Sequence, residues 1–317
     1  MSIFHKAGTA RLFLSATVLL AACGTSDSSS DTTATSVSVE TTIAADVYPV
    51  TVGDITLDAQ PVHIVSLSPT ATEMLYAIGA GSQVVAVDGF SNYPPAAAAL
   101  GTSLSGYEPN IEAISTFEPD LVIASYDPGG LVEQLNSLGI PVLIQDAATS
   151  FDNVYEQIEQ LGVLTGHIAQ SVQVTGQIQA DIQTAVSAID IPGPLSYYYE
   201  LDNTYYSVTS NTFIGQIFGL FGLHNIADSA ETGNDYPQLS AEAIVSSNPD
   251  LIFLADTKYS NESAATVGAR AGWSKVNAVV NGNVFELDDD IASRWGPRIA
   301  DLVTAIGAAI SKALVNS

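Results

Sequence analysis

The sequence predicts an α/β protein of two lobes joined by a single long helix, and three observations carry that prediction. Short apolar strands alternate with helical segments, a pattern that builds parallel sheet layers. The run Glu112-Ala113-Ile114, four residues, then Pro119-Asp120-Leu121 returns as Glu242-Ala243-Ile244, four residues, then Pro249-Asp250-Leu251. A single echo at such a distance fits two similar lobes, since a solenoid needs about three or more short repeats. Between the echoes, residues 166–189 contain no proline, and Ile168, Val172, Ile178, Ile182, Val186 and Ile189 recur at mostly helical spacing. With 317 residues and a 47% hydrophobic fraction, the chain can bury a sizeable core and is not globally disordered.

The elements follow in chain order. Lys6 and Arg11 precede the apolar run Leu12–Leu20, which is too short to span a bilayer as a stable helix. Leu20-Ala21-Ala22-Cys23 then resembles the lipobox of bacterial lipoproteins, and Cys23 is the sole cysteine. The resemblance implies a signal peptide over 1–22, lipidation of Cys23, and a membrane contact through the lipid anchor only. Gly24–Thr42 holds 12 Ser or Thr in 19 residues, too few apolar groups to offset ordering entropy, so residues 23–46 read as a flexible tether. The amino-terminal lobe is expected over 47–166, the linking helix over 167–191 and the carboxy-terminal lobe over 192–317.

Within the first lobe, alternation around Gly53-Asp54 predicts a hairpin over Val50–Leu57. His63–Leu67 reads as a buried strand. A helix follows Ser68-Pro69, with Thr70 and Glu73 fitting a capping box, Met74, Leu75 and Ile78 as its apolar face and Gly79 as its stop. Val84–Val87 is the next strand. Each copy of the echo reads as a short helix opening on glutamate, a Pro-Asp turn and a buried strand. Ile191-Pro192-Gly193-Pro194 ends the long helix. Tyr197-Tyr198-Tyr199 and Tyr205-Tyr206 read as strand residues with alternating faces.

Charge excludes several functions. There are 8 Lys and Arg against 34 Asp and Glu, and none of the cations lies between Arg11 and Lys258. Such a surface cannot neutralise phosphates, so nucleic-acid binding is excluded, as is a polybasic hold on an anionic membrane. One cysteine builds neither a disulfide framework nor a cysteine-rich metal site. No G-x-S-x-G elbow, P-loop or G-x-G-x-x-G follows a strand, so neither an enzyme nor a cofactor is expected.

A set of further motifs occurs in a fixed order: Ile64–Glu73 with Ile78-Gly79-Ala80-Gly81, Asn92-Tyr93-Pro94-Pro95, Pro109-Asn110-Ile111-Glu112, Gly139-Ile140-Pro141-Val142, Leu161–Gly166, Tyr236–Glu242 and Arg294–Ile299. In that order and over about residues 47–315, the chain resembles vitamin B12 and ferric-siderophore binding proteins, the extracytoplasmic solute-binding subunits of ABC importers. The resemblance implies two Rossmann-like lobes with a ligand cleft between them and a monomeric, lipid-anchored protein. It also implies that Glu112 and Glu242, one per lobe, dock into arginine pockets of the permease subunits. The alternative for each glutamate is that it merely favours a helix N-terminus.

For the ligand, the resemblance points to aromatic contacts at Tyr93, Tyr107, Tyr126, Tyr236 and Trp295, with Arg294 as the cleft cation. Tyr107 and Tyr126 are offset by one position from the family pattern. Arg298 is expected to support the fold. His63, His167 and His224 are read as structural, and no cluster of three His with a carboxylate exists to hold a metal. An anionic catecholate or haem would need cations that the first lobe lacks. The expected ligand is therefore a corrinoid, with a ferric hydroxamate or haem as alternatives. A surface module without transport is the remaining rival.

Overall fold

The computed structural model describes residues 47–316 apart from 103, 231 and 232. The signal peptide, Cys23 and the tether lie outside the described residues. The chain opens with an antiparallel hairpin, β1 (Val50–Val52) and β2 (Ile55–Leu57), turning at Gly53-Asp54 as expected. The first lobe continues as β3 (Ile64–Ser66), α1 (Pro69–Ala77), β4 (Val84–Val87), α2 (Pro95–Ala98), α3 (Ile111–Ser115), β5 (Leu121–Ala124), α4 (Leu131–Ser137), β6 (Val142–Ile144) and α5 (Phe151–Thr165). After α6 (Ile168–Ser187), the second lobe runs through β7 (Ser196–Glu200), α7 (Phe213–Gly219), β8 (His224–Asn225), α8 (Ala241–Ser247), β9 (Leu251–Leu254), α9 (Ala264–Ala269), α10 (Asn277–Val280), β10 (Val284–Glu286), α11 (Asp289–Ser293) and α12 (Ile299–Asn316).

Each lobe holds one four-stranded parallel sheet, in the orders β4-β3-β5-β6 and β8-β7-β9-β10. The topologies coincide strand for strand. Parallel strands covered on both faces must be apolar throughout, and β5 and β9 are fully buried. Inner-face residues such as Ile64, Leu121, Tyr197 and Phe253 join one continuous core with α1, α5, α7 and α12. The outer faces pack on separate clusters around Ile114 and Trp273.

Several local expectations change. The Thr70–Glu73 capping box does not form. Ser68 is the N-cap, its hydroxyl accepting from the Ala71 amide, and Glu73 points elsewhere. His63 is exposed and precedes β3, because the buried run begins only at Ile64. His224 opens the short strand β8. Tyr205 has a positive φ of 71° and lies in a turn, while Tyr206 makes only an isolated bridge to Gln238.

Helix α6 buries Ile178 and Ile182 as expected, but Ile168 and Val172 are exposed and Ser171 and Thr175 are buried in their place. Its first half lies close against α5. A Cβ on Gly162 would collide with the Ser171 side chain, so only small groups fit that contact. Ser171 and Thr175 return their hydroxyls to the carbonyls of Ile168 and Val172, which lets polar side chains be buried there.

Candidate functional site

A cavity of about 610 Å³ opens where the carboxyl ends of the strands of both lobes meet. That is the place where open α/β sheets expose backbone and loops to ligands. Leu67, Asp88, Ser125 and Asp146 each follow a strand of the first sheet, and Tyr259 and Asp290 follow strands of the second. A smaller chamber of about 130 Å³ adjoins it, sharing Ala147, Ser293, Arg294 and Trp295 and adding Phe213, Ile217 and Tyr236.

The first lobe contributes rings. Phe90 and Tyr107 meet edge to face at 5.9 Å and 89°, and Tyr107 leans on Tyr126 at 6.1 Å and 50°. Tyr107 is held by a tight turn: the Ser105 hydroxyl accepts from the amides of Tyr107 and Glu108 at 3.2 and 3.0 Å. Gly106 permits this turn, because a Cβ there would collide with the Leu67 carbonyl oxygen. Ser125, just before Tyr126, donates to the Ser68 hydroxyl at 2.8 Å, tying that loop to the cap of α1. Tyr107 is 67% and Tyr126 39% exposed, so both present ring surface to whatever enters. Burial and the neighbouring Tyr107 push the Tyr126 phenol above its ordinary value, so it stays a neutral donor.

The floor is an ion-pair network between lobes. Glu73, on α1, receives Arg294 Nη1 at 2.8 Å, Arg298 Nε at 2.8 Å and Arg298 Nη2 at 2.5 Å. Arg294 Nη1 also donates to the Asn92 side-chain oxygen at 2.9 Å, and Nη2 donates to the Phe90 carbonyl and Asp290 Oδ1 at 3.0 and 2.9 Å. Asp290 also accepts from Lys258 at 2.9 Å and from Asn92 at 3.1 Å. Burial pushes the Asp290 carboxyl up, but the bonds from Lys258 and Asn92 and the Arg294 charge outweigh it and hold it below the ordinary range. Buried Gln157 positions two wall residues at once: its amide donates to the Asp146 carbonyl at 2.8 Å and its oxygen accepts from the Trp295 indole at 2.9 Å.

The structure brings Tyr107, Tyr126, Arg294 and Trp295 together on the main cavity and places Tyr236 in the adjoining chamber. Tyr93 is not on either wall. Its ring lies under the Arg298 guanidinium, 4.2 Å from centroid to carbon, a cation–π contact beside the network. Arg294 follows α11 rather than the strand directly, and its charge is consumed within the protein. Wall groups that escape sequence reasoning include Asp88, Phe90, Asp146, Tyr259 and Asp290. Their signal is positional, since each lies shortly after a strand end. Among the described residues, no cluster of His, Cys, Asp and Glu is arranged to hold a metal.

Glu112 and Glu242 occupy matching places away from this cavity. Each is the second residue of its helix, after an Asn110 or Ser240 cap whose side chain accepts from the Ala113 or Ala243 amide. Both are exposed, and neither carboxylate has a partner among the described residues. Downstream, Glu118 and Asn248 share a φ of 49°, and Asp120 and Asp250 each accept from the backbone amide that leads the neighbouring strand. The equivalence of the two copies is therefore geometric as well as sequential.

Two parallel α/β lobes joined by one helix, with a cleft at their carboxyl edges, define a bilobal solute-binding protein. The periplasmic binding protein family model matches residues 64–291, and the chain belongs to that family. It is 31% identical over 319 residues to an uncharacterized ABC transporter substrate-binding lipoprotein of Bacillus subtilis, covering 96% of this chain and 97% of that one. It is 35% identical over 268 residues to the cobalamin-binding protein of Halobacterium salinarum, covering 80% of this chain and 72% of that one. The crystal structure of the periplasmic vitamin B12 binding protein of Vibrio cholerae superposes with a TM-score of 0.66 at 28% identity, covering 80% of this chain and 98% of that one.

Proposed function

We propose that this protein is the extracytoplasmic solute-binding component of an ABC importer and that its ligand is a corrinoid. The observation that carries the ligand class is the cleft itself. An exposed array of rings stands over a floor whose cations are already paired, which suits a large, mixed apolar and hydrogen-bonding molecule without strong negative charge. Relatives named for cobalamin and vitamin B12 binding support the same reading. In this reading the mature chain begins at lipidated Cys23, residues 23–46 tether the body, and residues 47–166 and 192–317 are the two lobes. The protein acts as a monomer, captures the ligand and presents Glu112 and Glu242 to arginines of the permease. Paired carboxylate and guanidinium groups suit that role through fork geometry. No helix among the described residues is long and apolar enough to cross a membrane.

The test is a titration of the purified chain with cyanocobalamin, a ferric hydroxamate and haem, read by intrinsic fluorescence. Trp295 lies on the wall of both chambers and reports directly. Saturable quenching by micromolar cyanocobalamin is expected. A response to the hydroxamate or haem alone overturns the corrinoid reading and leaves the solute-binding role. The double variant Glu112→Ala, Glu242→Ala should keep ligand affinity and lose uptake in cells. Unchanged uptake rejects the docking role.

A further inference from the structure

The wall of the main cavity carries three carboxylates, Asp88, Asp146 and Asp290, and one guanidinium, Arg294. Arg294 is spent on Glu73, Asn92, Asp290 and the Phe90 carbonyl. The other nearby cations are spent as well: Lys258 on Asp288 and Asp290, and Arg298 on Glu73 and the face of Tyr93. The cavity is therefore rich in hydrogen-bond acceptors and offers no free cation among the described residues. Asp146 is exposed, and its carboxylate has no partner among the described residues, because only its backbone carbonyl is bonded, to Gln157. Asp88 is buried, its carboxyl accepts from Ser91 at 2.6 Å, and burial pushes it above the ordinary range, so Asp146 is the open charge of the wall. Tyr107, Tyr126 and Tyr259 add hydroxyls but no positive charge.

A ligand group that donates hydrogen bonds meets acceptors here, whereas a carboxylate meets like charge in a partly desolvated cleft, which costs far more than the same approach in water. The rim of a corrinoid macrocycle bears primary amides, which are neutral donors, and hydrolysis turns each into a carboxylate of nearly the same size. On the corrinoid reading above, we infer that Asp146 makes the cleft selective for fully amidated corrinoids over their carboxylate counterparts. Shape cannot supply this selection, since amide and acid are close to isosteric. The selecting element is repulsive, a charge set against the wrong ligand. The same protein would thereby reject degraded or incompletely amidated corrinoids.

The test compares cyanocobalamin with its peripheral monocarboxylic acids at pH 7.5, by fluorescence titration of the full chain. The acids are expected to bind about tenfold or more weakly than the amide form. In Asp146→Asn that ratio should shrink severalfold. In Asp146→Lys, a change at an exposed position, the acids should regain most of the loss. Raising the salt concentration should narrow the gap in the unaltered protein, because the discrimination is electrostatic. Acids that bind within twofold of cyanocobalamin overturn the inference and leave the corrinoid reading standing. If cyanocobalamin does not bind, the corrinoid reading falls and the inference falls with it as a statement about corrinoids. The charge rule behind it is then decided with a neutral ferric hydroxamate against a ferric tris-catecholate: equal binding overturns it, and preference for the neutral complex supports it.

Discussion

The two lobes share a strand order and a helix–turn–strand echo, yet they fill equivalent positions with different chemistry. Register pairs Ile64 with Leu121 in one sheet and Tyr197 with Leu251 in the other, so Leu67 corresponds to Glu200 and Tyr126 to Asp256. On the outer face of the first sheet, Val65, Leu67, Val122 and Ala124 belong to a hydrophobic cluster with Ile114, Leu131 and Leu135. On the same face of the second, Glu200 is fully buried and forked to Arg270, which also holds Glu262 and lies 4.8 Å over Trp273. At the cavity the first lobe supplies the ring array of Phe90, Tyr107 and Tyr126, while the floor joins Glu73 of the first lobe to Arg294, Arg298, Lys258 and Asp290 of the second. One topology tolerates both solutions because the topology is set by strand pairing and the inner core. The outer faces and loops are free to specialise.

The largest effect is expected where the two solutions meet. Glu73 of the first lobe holds two arginines of the second, and its side chain is 1% exposed. Glu73→Ala leaves Arg294 and Arg298 without their shared partner in a buried setting, which costs about 3–5 kcal/mol. Urea denaturation should show that loss, and fluorescence titration should show weaker ligand binding as the cavity floor loosens. A loss below about 1 kcal/mol would mean that the lobes do not depend on this contact.

Asp256 tests the second lobe by itself. Both of its carboxylate oxygens are buried without a hydrogen-bond partner. Burial, then the charges of Glu200 and Glu262, push its carboxyl up to about 7 against the opposing pull of Arg270. The folded state therefore retains a proton that the unfolded chain releases near pH 4. Stability contributed by this group is complete in acid, falls as pH rises from about 4 to about 7, and is absent above that. Asp256→Asn should raise stability at pH 8 on the order of 2–4 kcal/mol and change little at pH 4. Glu200 is raised by burial too, so a smaller slope remains in the variant. Tm measured across pH 4–8 decides it, and an unchanged slope rejects the assignment to Asp256.

The echo was legible in the sequence because Pro-Asp turns and capped short helices are set by local chemistry, and Asn110, Ser240, Asp120 and Asp250 all perform that chemistry in place. The sheets were legible because buried parallel strands need unbroken apolar runs. The Glu73 network was not. Ser68-Pro69-Thr70 followed by Glu73 has the spacing of a helix cap, and Arg294 and Arg298, which take the glutamate instead, lie more than 200 residues away. For the same reason Arg294 read as a free cleft cation: residue type announces a charge, but only the fold shows what has already neutralised it. Ile168 and Val172 misled in a related way, since periodicity marks an apolar stripe without saying which neighbour approaches closely enough to demand Ser171 and Thr175.

The smallest effect separates the two copies of the echo themselves. Asp120 accepts from the amides of Val62 and His63 at 2.7 and 3.0 Å, and Val62 is 58% exposed, so water can replace much of what is lost. Asp250 accepts from the Ser196 amide and hydroxyl at 2.9 and 2.8 Å and from the Asn277 side chain at 3.3 Å, all partly buried. Asp120→Ala should therefore cost about 1 kcal/mol and Asp250→Ala about 2 kcal/mol, measured by urea denaturation. Equal losses would make the pin at the head of β3 and β7 the same device in both lobes. An ordering with Asp120 the more costly would show that exposure of the strand head does not govern it, and that the lobes differ at the turn as well as on their outer faces.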